Sequence, residues 1–133
     1  MIATKAHAGQ KDKAGAPYLL HVLRVMMSVE KLDEKIVALL HDVIEDSEIT
    51  FEEIAYEGFP KKILKAVELL TKTESKPYED YIQEIKRNEL ARVVKLADLK
   101  DNMNLTRLKK VTETDKMRIK KYKEAYNLLN AKS

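Results

Sequence analysis

Apolar residues recur along most of this chain at spacings of three and four, which is the periodicity of amphipathic helices. The first segment, 2–11, is compatible with a helix and ends in a polar stretch that contains glycine. We expect the chain to form an all-α bundle of about six or seven helices. Their limits lie near 18–30, 61–70, 78–87 and 114–130, and three further helices begin near Asp33, Thr50 and Asn88.

Several helix ends are marked by residues that satisfy free backbone groups. Asp33 and Asn88 are expected N-caps of their helices. Thr50, with Glu53 three residues on, has the form of a capping box, and that short helix should end near Gly58. The helix over 18–30 is apolar enough to be buried. The last helix should turn toward the core an apolar side made of Met117, Ile119, Tyr122, Tyr126 and Leu129.

The composition favours one helical domain. With 133 residues, of which 44% are hydrophobic, the chain can bury a single core, so we expect one domain over 1–133. Only three glycines and three prolines interrupt it, which disfavours β-sandwiches and glycine-rich phosphate loops. No apolar run approaches the ~20 residues that span a bilayer, so we expect no membrane partner and a cytoplasmic location.

Charge and cysteine content restrict the chemistry further. Lysine and arginine total 25 against 22 acidic residues, and the resulting charge of +3 is too small to indicate nucleic acid binding. The absence of cysteine excludes thiol catalysis and thiolate-bound zinc, so any metal must be held by nitrogen and oxygen ligands. The sequence does not indicate an oligomeric state.

Four polar residues lie in apolar helical surroundings, where burial without a partner would be costly. His41 and Asp42 follow an apolar run, His21 lies on the preceding helix, and Asp98 lies in another apolar segment. Each alone has a commoner explanation, such as a histidine bonded to a carbonyl or an aspartate paired with a lysine. Together, two imidazoles and two carboxylates suit a divalent cation such as Mn²⁺ or Fe²⁺, with Zn²⁺ less favoured.

The same residues carry a resemblance to a known family. His21, the adjacent His41 and Asp42, and the distant Asp98 match the pattern of the HD phosphohydrolase superfamily in order and spacing. More narrowly, the chain is similar over roughly 3–108 to the ppGpp hydrolase domain of stringent-response enzymes and to small single-domain alarmone hydrolases. The matching stretches are Ala6-His7-Ala8-Gly9-Gln10, Gly15-Ala16-Pro17-Tyr18, His41-Asp42-Val43-Ile44-Glu45-Asp46, and Lys95-Leu96-Ala97-Asp98 with Asn102.

This resemblance implies a metal-dependent enzyme that removes the 3′-pyrophosphate from ppGpp, with the four residues above as metal ligands. It implies that Glu45 and Asp46 position and deprotonate the attacking water. The alternative is that this acidic pair caps a neighbouring helix in an exposed turn.

The resemblance also implies contacts to the substrate. Lys11 and Lys13 lie in the loop that borders the substrate in this family, although solvated loop lysines are common. Asn102 matches an asparagine that contacts the nucleoside, and its alternative role is to terminate a helix. Tyr78 and Tyr81 could line a nucleobase pocket, for which core packing is the more common alternative.

The chain departs from the family in the parts that recognise substrate. Asp12 stands where the alarmone hydrolases commonly carry an arginine that stacks on guanine, Val22 replaces the usual proline after His21, and residues 99–104 lack the usual arginines. Two further interpretations therefore stay open. One is a nucleotidase or pyrophosphohydrolase with a non-guanine substrate, and the other is a non-catalytic metal-binding sensor or partner-binding module.

Overall fold

The computed structural model of the chain describes residues 18–104 and 112–131, and within them it consists of helices joined by short connections. The helices are α1 (Tyr18–Ser28), α2 (Leu32–Asp46), α3 (Phe51–Tyr56), α4 (Lys61–Leu70), α5 (Tyr78–Lys86), α6 (Glu89–Asn102) and α7 (Glu113–Asn130). The prediction of an all-α fold is confirmed. The segment 2–11 and the side chains of Tyr18, Leu19 and Asp46 lie outside this description. None of the described helices is long and apolar enough to cross a bilayer.

Two predicted helix starts are confirmed. Both are set by hydrogen bonds between residues close together in the sequence. Thr50 Oγ1 accepts a hydrogen bond from the amide of Glu53 at 3.2 Å, and α3 begins there. The helix ends before Gly58, whose φ is +86°. Asn88 Oδ1 accepts a hydrogen bond from the amide of Ala91 at 2.9 Å and begins α6. Both side chains satisfy amides that have no partner inside the helix.

The predicted N-cap at Asp33 is wrong. The helix α2 begins at Leu32 with Lys31 at the N-cap position, and the carboxylate of Glu34 accepts hydrogen bonds from the amides of Glu30 and Lys31. Asp33 lies in the first turn and forms an ion pair with Lys62 at 2.7 Å. Glu34 at the third helical position reaches back to the amide of the N-cap residue, so the helix begins before Asp33, whereas a capping Asp33 would have accepted amides that follow it.

Helix α6 lies at the centre of the bundle, in contact with α1, α2, α4, α5 and α7. Helix α2 also contacts α1 and α4. The largest fully buried apolar side chains include Ile54, Ile63, Leu70, Ile82, Ile85, Leu99 and Leu129. Because α1, α2 and α6 are mutual neighbours, polar side chains from all three can meet inside the bundle.

Two predictions about apolar faces are wrong in part. On α1, three valines are buried, whereas three larger apolar residues are exposed. The buried ones are Val22, Val25 and Val29, and the exposed ones are Leu20, Leu23 and Met27. On α7, Met117 is 73% exposed instead of facing inward, while Leu129 is fully buried. An apolar side chain does not reveal by itself which face of a helix meets a neighbour.

Candidate metal centre

Side chains from three helices meet where α1, α2 and α6 come together. His21 comes from α1, His41 and Asp42 from α2, and Asp98 from α6, and their exposed fractions lie between 2% and 8%. Single ligand atoms of His21, Asp42 and Asp98 lie within 4.8 Å of one another, and so do those of His41, Asp42 and Glu45. Asp42 belongs to both groups, so the structure brings all four predicted ligands to one place.

His41 provides the observation that this place suits a cation. Its side chain is 2% exposed, and neither ring nitrogen has a hydrogen-bond partner among the described residues. Nε2 lies 3.4 Å from a carboxylate oxygen of Glu45, without the geometry of a hydrogen bond. Burial of an imidazole without a partner is costly, and a divalent cation is a partner that His41 and the adjacent Asp42 can both bind. The residues present therefore fit a metal ion.

Asp98 is held as a carboxylate by its neighbours. Oδ1 lies 3.0 Å from His21 Nε2, and Oδ2 lies 3.4 Å from Lys95 Nζ. The amide of Asn102 donates to Oδ1 at 3.5 Å. Burial would raise the pKa of Asp98, but the charge of Lys95 and the hydrogen bond from His21 outweigh it and hold the pKa well below its usual range. Asp98 is therefore ionised at any physiological pH.

The carboxylates also favour positive charge on their partners. Burial would lower the pKa of His21, but the hydrogen bond and charge of Asp98, with smaller contributions from Asp42 and Asp101, raise it from 6.5 to about 9. Burial would likewise lower the pKa of Lys95, and the charge of Asp98 outweighs it and raises the pKa. The site thus has a negative potential that would attract a divalent cation.

The other predicted site residues are distributed around this cluster. The side chain of Glu45 is 37% exposed and lines a neighbouring pocket, which Asn102, the last residue of α6, also lines. Asp46 is the last residue of α2. Lys11 and Lys13 fall in the part of the chain that the structure does not describe, so their roles stay predictions.

The pocket beside the cluster has a volume of about 280 Å³. It is lined by His21, Glu45, Asp98 and Asn102 together with Lys72, Lys95, Lys121, Tyr78, Tyr81 and Tyr122. The ring centroids of Tyr78 and Tyr81 lie 5.8 Å apart, and Lys121 Nζ lies 4.0 Å from the Tyr78 centroid. Lysines and tyrosines beside the candidate metal centre suit an anion with several charges and an aromatic ring.

Sequence reasoning did not identify Arg24, Lys95 or Asp101 as parts of the site. Asp101 accepts a hydrogen bond from Arg24 Nε at 2.8 Å and lies 2.5 Å from His21 Nδ1. Lys95 and Asp101 stand three positions on either side of Asp98, and Arg24 stands three positions after His21. Residues three apart lie on the same face of a helix, and that spacing was the available signal.

Comparison with known proteins shows what the chain resembles. A family model described as an HD domain matches residues 1–125. A guanosine-3′,5′-bis(diphosphate) 3′-pyrophosphohydrolase of Aquifex aeolicus is 34% identical over 113 residues, which cover 76% of this chain and 16% of that protein. The bifunctional (p)ppGpp synthase/hydrolase SpoT of Escherichia coli is 34% identical over 84 residues, or 60% of this chain and 12% of SpoT. The chain thus spans less than a fifth of the length of these relatives.

A solved structure has the same fold. It is that of a metazoan ortholog of SpoT, described as hydrolysing ppGpp and playing a role in starvation responses. The two chains superpose with a TM-score of 0.73 over 97% of this chain and 82% of the other, at 23% sequence identity. The likeness extends over nearly the whole bundle that holds the candidate centre.

Proposed function

The chain belongs to the HD domain family, and on that premise we propose that it is a metal-dependent phosphohydrolase that removes the 3′-pyrophosphate from (p)ppGpp. The products would be pyrophosphate and GDP or GTP. The observation that carries the proposal is His41, a buried imidazole beside Asp42 and Glu45 that has no hydrogen-bond partner among the residues that the structure describes. Two relatives with 34% identity support the choice of substrate, since hydrolysis of this alarmone is part of their names.

The metal that the site suits best is Mn²⁺. HD domains bind divalent metals, and the proposed ligands are His21, His41, Asp42 and Asp98. Two imidazoles and two carboxylates are a mixed set that also accepts Fe²⁺. Zn²⁺ is less favoured because four protein ligands would complete its tetrahedron and leave no position for a water molecule. When bound, the cation would supply Lewis acidity toward the phosphoryl group and the attacking water.

Glu45 is the proposed general base. It lies with His41 and Asp42 in one ligand group and also lines the pocket, so its carboxylate can reach a water molecule between the cluster and a substrate. Asp46 follows it at the end of α2 and assists in the same role by family resemblance. Proton transfer from the water to Glu45 would leave the oxygen free to attack the phosphorus bonded to the 3′-oxygen of the ribose. The bond between that phosphorus and the 3′-oxygen would break, pyrophosphate would leave, and the proton would pass to the 3′-oxygen.

Three lysines that line the pocket would neutralise the phosphates. Lys95 is buried and paired with Asp98, which holds its ammonium group in place. Lys72 Nζ donates hydrogen bonds to two backbone carbonyls of the connection after α4, at 2.9 and 2.6 Å. Lys121 lies against the ring of Tyr78. Charges that are already oriented stabilise a phosphoryl transition state with little reorganisation.

The nucleoside would bind against the aromatic part of the pocket. Tyr78 and Tyr122 offer ring surfaces, and burial raises the pKa of both phenols, so they stay uncharged beside the phosphates. Asn102 lines the same pocket and offers an amide to the ribose or the base. Lys11 and Lys13 would add positive charge at the pocket mouth.

The test is Mn²⁺-dependent release of pyrophosphate from ppGpp by the purified chain. Glu45→Gln should lower the rate by about 10²- to 10⁴-fold while bound metal is unchanged, because the amide cannot accept the proton. Asp98→Asn should lose both metal and activity. The matched control is Glu48→Gln, which alters an exposed glutamate that follows α2 and should leave the rate unchanged.

Full activity of folded Asp98→Asn or His41→Ala would contradict the proposal. Circular dichroism of each variant identifies any that has lost its helices, and the conservative Asp98→Asn guards against misfolding of the alanine variant.

A nucleotide with another base is the second candidate substrate, because Asp12 stands where related hydrolases carry the arginine that stacks on guanine. A panel of nucleotides at equal concentration separates the two candidates. Turnover of ppGpp well above all others eliminates the second, and turnover of another nucleotide without ppGpp hydrolysis establishes it. Metal binding without any hydrolysis would support a non-catalytic sensor instead.

A further inference from the structure

His21 contacts a carboxylate of α6 at each of its ring nitrogens. Nε2 lies 3.0 Å from Asp98 Oδ1 in the candidate metal centre, and Nδ1 lies 2.5 Å from Asp101 Oδ2. Asp98 and Asp101 are three residues apart, so one face of α6 presents both carboxylates to the same imidazole. Asp101 is absent from the residues that line the substrate pocket and instead borders a separate pocket with Arg24. The two nitrogens thus have different surroundings.

Arg24 holds Asp101 in one orientation. Its Nε donates a hydrogen bond to Oδ1 at 2.8 Å, and its Nη2 donates one to Oδ2 at 3.3 Å. The Asp101 side chain is 12% exposed, against 35% for Arg24, so the carboxylate is largely shielded and the guanidinium reaches solvent. This two-point contact fixes the plane of the Asp101 carboxylate.

We propose that Asp101 is a positioning residue of the metal centre, which keeps a proton on His21 Nδ1 and so directs the lone pair of Nε2 to the metal. Arg24 in turn positions Asp101. The inference rests on the proposed function because it takes His21 to be a metal ligand. Histidines that bind metals usually donate their other N–H to a carboxylate or carbonyl, and loss of that partner typically weakens metal binding about 10- to 100-fold.

Asp101 lies within 99–104, the stretch where this chain departs from the family motif. The pair with Arg24 also connects α1 to α6, and a purely structural connection is the alternative to be tested. Such a connection would affect the free energy of unfolding. It would leave the metal affinity of the folded protein and the protonation of the His21 ring unchanged.

The first experiment measures Mn²⁺ affinity of the full chain by calorimetry. Asp101→Ala should weaken binding about 10- to 100-fold, because it removes the acceptor from Nδ1. Asp101→Asn keeps a neutral acceptor and should lie between Asp101→Ala and wild type. The control is Asp33→Asn, which disrupts a comparable carboxylate pair, with Lys62 at 2.7 Å, away from the candidate centre and should bind Mn²⁺ like wild type.

The second experiment is NMR of the ¹⁵N-labelled chain loaded with Zn²⁺, which is diamagnetic. Wild type should show a His21 Nδ1 proton far downfield and a metal-shifted Nε2 resonance. Asp101→Ala should lose the downfield proton by exchange with water.

Mn²⁺ affinities of both Asp101 variants within about threefold of wild type would overturn the inference, and so would a wild-type His21 without the Nδ1 proton. If Asp101→Ala does not fold, Asp101→Asn decides. Failure of the proposed function would give results different from failure of this inference. In that case no nucleotide would be hydrolysed, or Asp98→Asn would bind the metal as wild type does.

Discussion

At the residue scale, charges in the interior of this protein are compensated by close partners. Lys95 and Asp98 are each 8% exposed, and their charged groups lie 3.4 Å apart. Removal of one partner would leave the other buried and uncompensated, a change that typically costs 3 to 5 kcal/mol. For this reason the variants that test the site are best made as isosteric changes, with the folded state checked in each.

Tyr81 supports the pocket by a hydrogen bond that crosses between helices. Its hydroxyl donates to the carbonyl of Leu70, the last residue of α4, at 2.6 Å. That carbonyl has no partner inside its own helix. Tyr81→Phe should therefore lower the free energy of unfolding by about 1 kcal/mol at pH 7, as measured by urea denaturation.

The same variant gives a prediction for alkaline pH. Burial raises the pKa of Tyr81 from 10.0 to about 12. Since the unfolded phenol loses its proton at lower pH than the folded one, this residue's contribution to stability is full below pH 10 and falls as the pH rises toward 12. The linkage change at pH 11 is about 1.4 kcal/mol, which exceeds the penalty at pH 7, so Tyr81→Phe should be no less stable than wild type at pH 11. A penalty that is constant from pH 7 to 11 would contradict the raised pKa.

Residue patterns predicted part of this site and could not predict the rest. The cluster of His21, His41, Asp42 and Asp98 was predicted because polar residues in apolar helices need partners. The contact of His21 with Asp101 joins residues 80 positions apart, and no local pattern specifies such a pair. It depends on how α1 docks on α6.

At the scale of helices, side chains that satisfy terminal backbone groups define the limits of the elements that carry the site. Lys35 of α2 donates hydrogen bonds to the carbonyls of Met26 and Val29 at 2.6 Å each, around the C-terminal end of α1. This contact joins the end of the helix that carries His21 to the helix that carries His41. Capping therefore contributes to the relative position of the two helices.

Asn88 is the best place to test capping, because α6 contacts most of the other helices. Asn88→Ala should lower the free energy of unfolding by about 1 kcal/mol, since the amide of Ala91 loses its acceptor. Asn88→Asp keeps the acceptor and adds negative charge at a helix N-terminus, so it should match or exceed wild type. Mn²⁺ affinity should be unchanged in both, because Asp98 lies more than two turns further along. A weakened Mn²⁺ affinity in Asn88→Ala would show that the N-terminus of α6 is coupled to the metal centre.

Helix limits were more predictable than helix faces. The starts at Thr50 and Asn88 are encoded within three residues and were confirmed. The start of α2 depends on Glu34, whose carboxylate accepts hydrogen bonds from the amides of Glu30 and Lys31. Asp33 and Glu34 could each have set the start of this helix, and the sequence alone did not show which one does. The exposure of Met117 depends on where α7 packs against α5 and α6. The spacing of apolar residues along α7 does not specify that packing.

At the scale of the whole molecule, the candidate metal centre draws on helices from distant parts of the chain. His21 and Asp98 are 77 positions apart, and α2 lies between them in sequence. The proposed metal ligands therefore come together only when α1, α2 and α6 are packed. Metal binding and folding would be coupled for that reason, since the unfolded chain does not contain the site.

Metal removal should thus lower the melting temperature. A ligand present at one hundred times its Kd stabilises the folded state by about 2.7 kcal/mol, which for a domain of this size corresponds to a shift on the order of 10 °C. We expect that decrease when EDTA is added to Mn²⁺-loaded protein in a thermal melt followed by circular dichroism. Asp98→Asn should show almost no response to EDTA. Equal responses of wild type and variant would place the metal elsewhere.

A chain without cysteine cannot use a disulfide to connect distant segments. A cation held by His21 and Asp98 would instead connect residues 77 positions apart in the folded state only, and it would stabilise that state to an extent that depends on the metal concentration. Metal availability would then affect how long the folded protein survives proteolysis as well as the rate of the proposed hydrolysis. Loss of the metal would shorten the lifetime of the folded protein and remove the proposed activity at the same time.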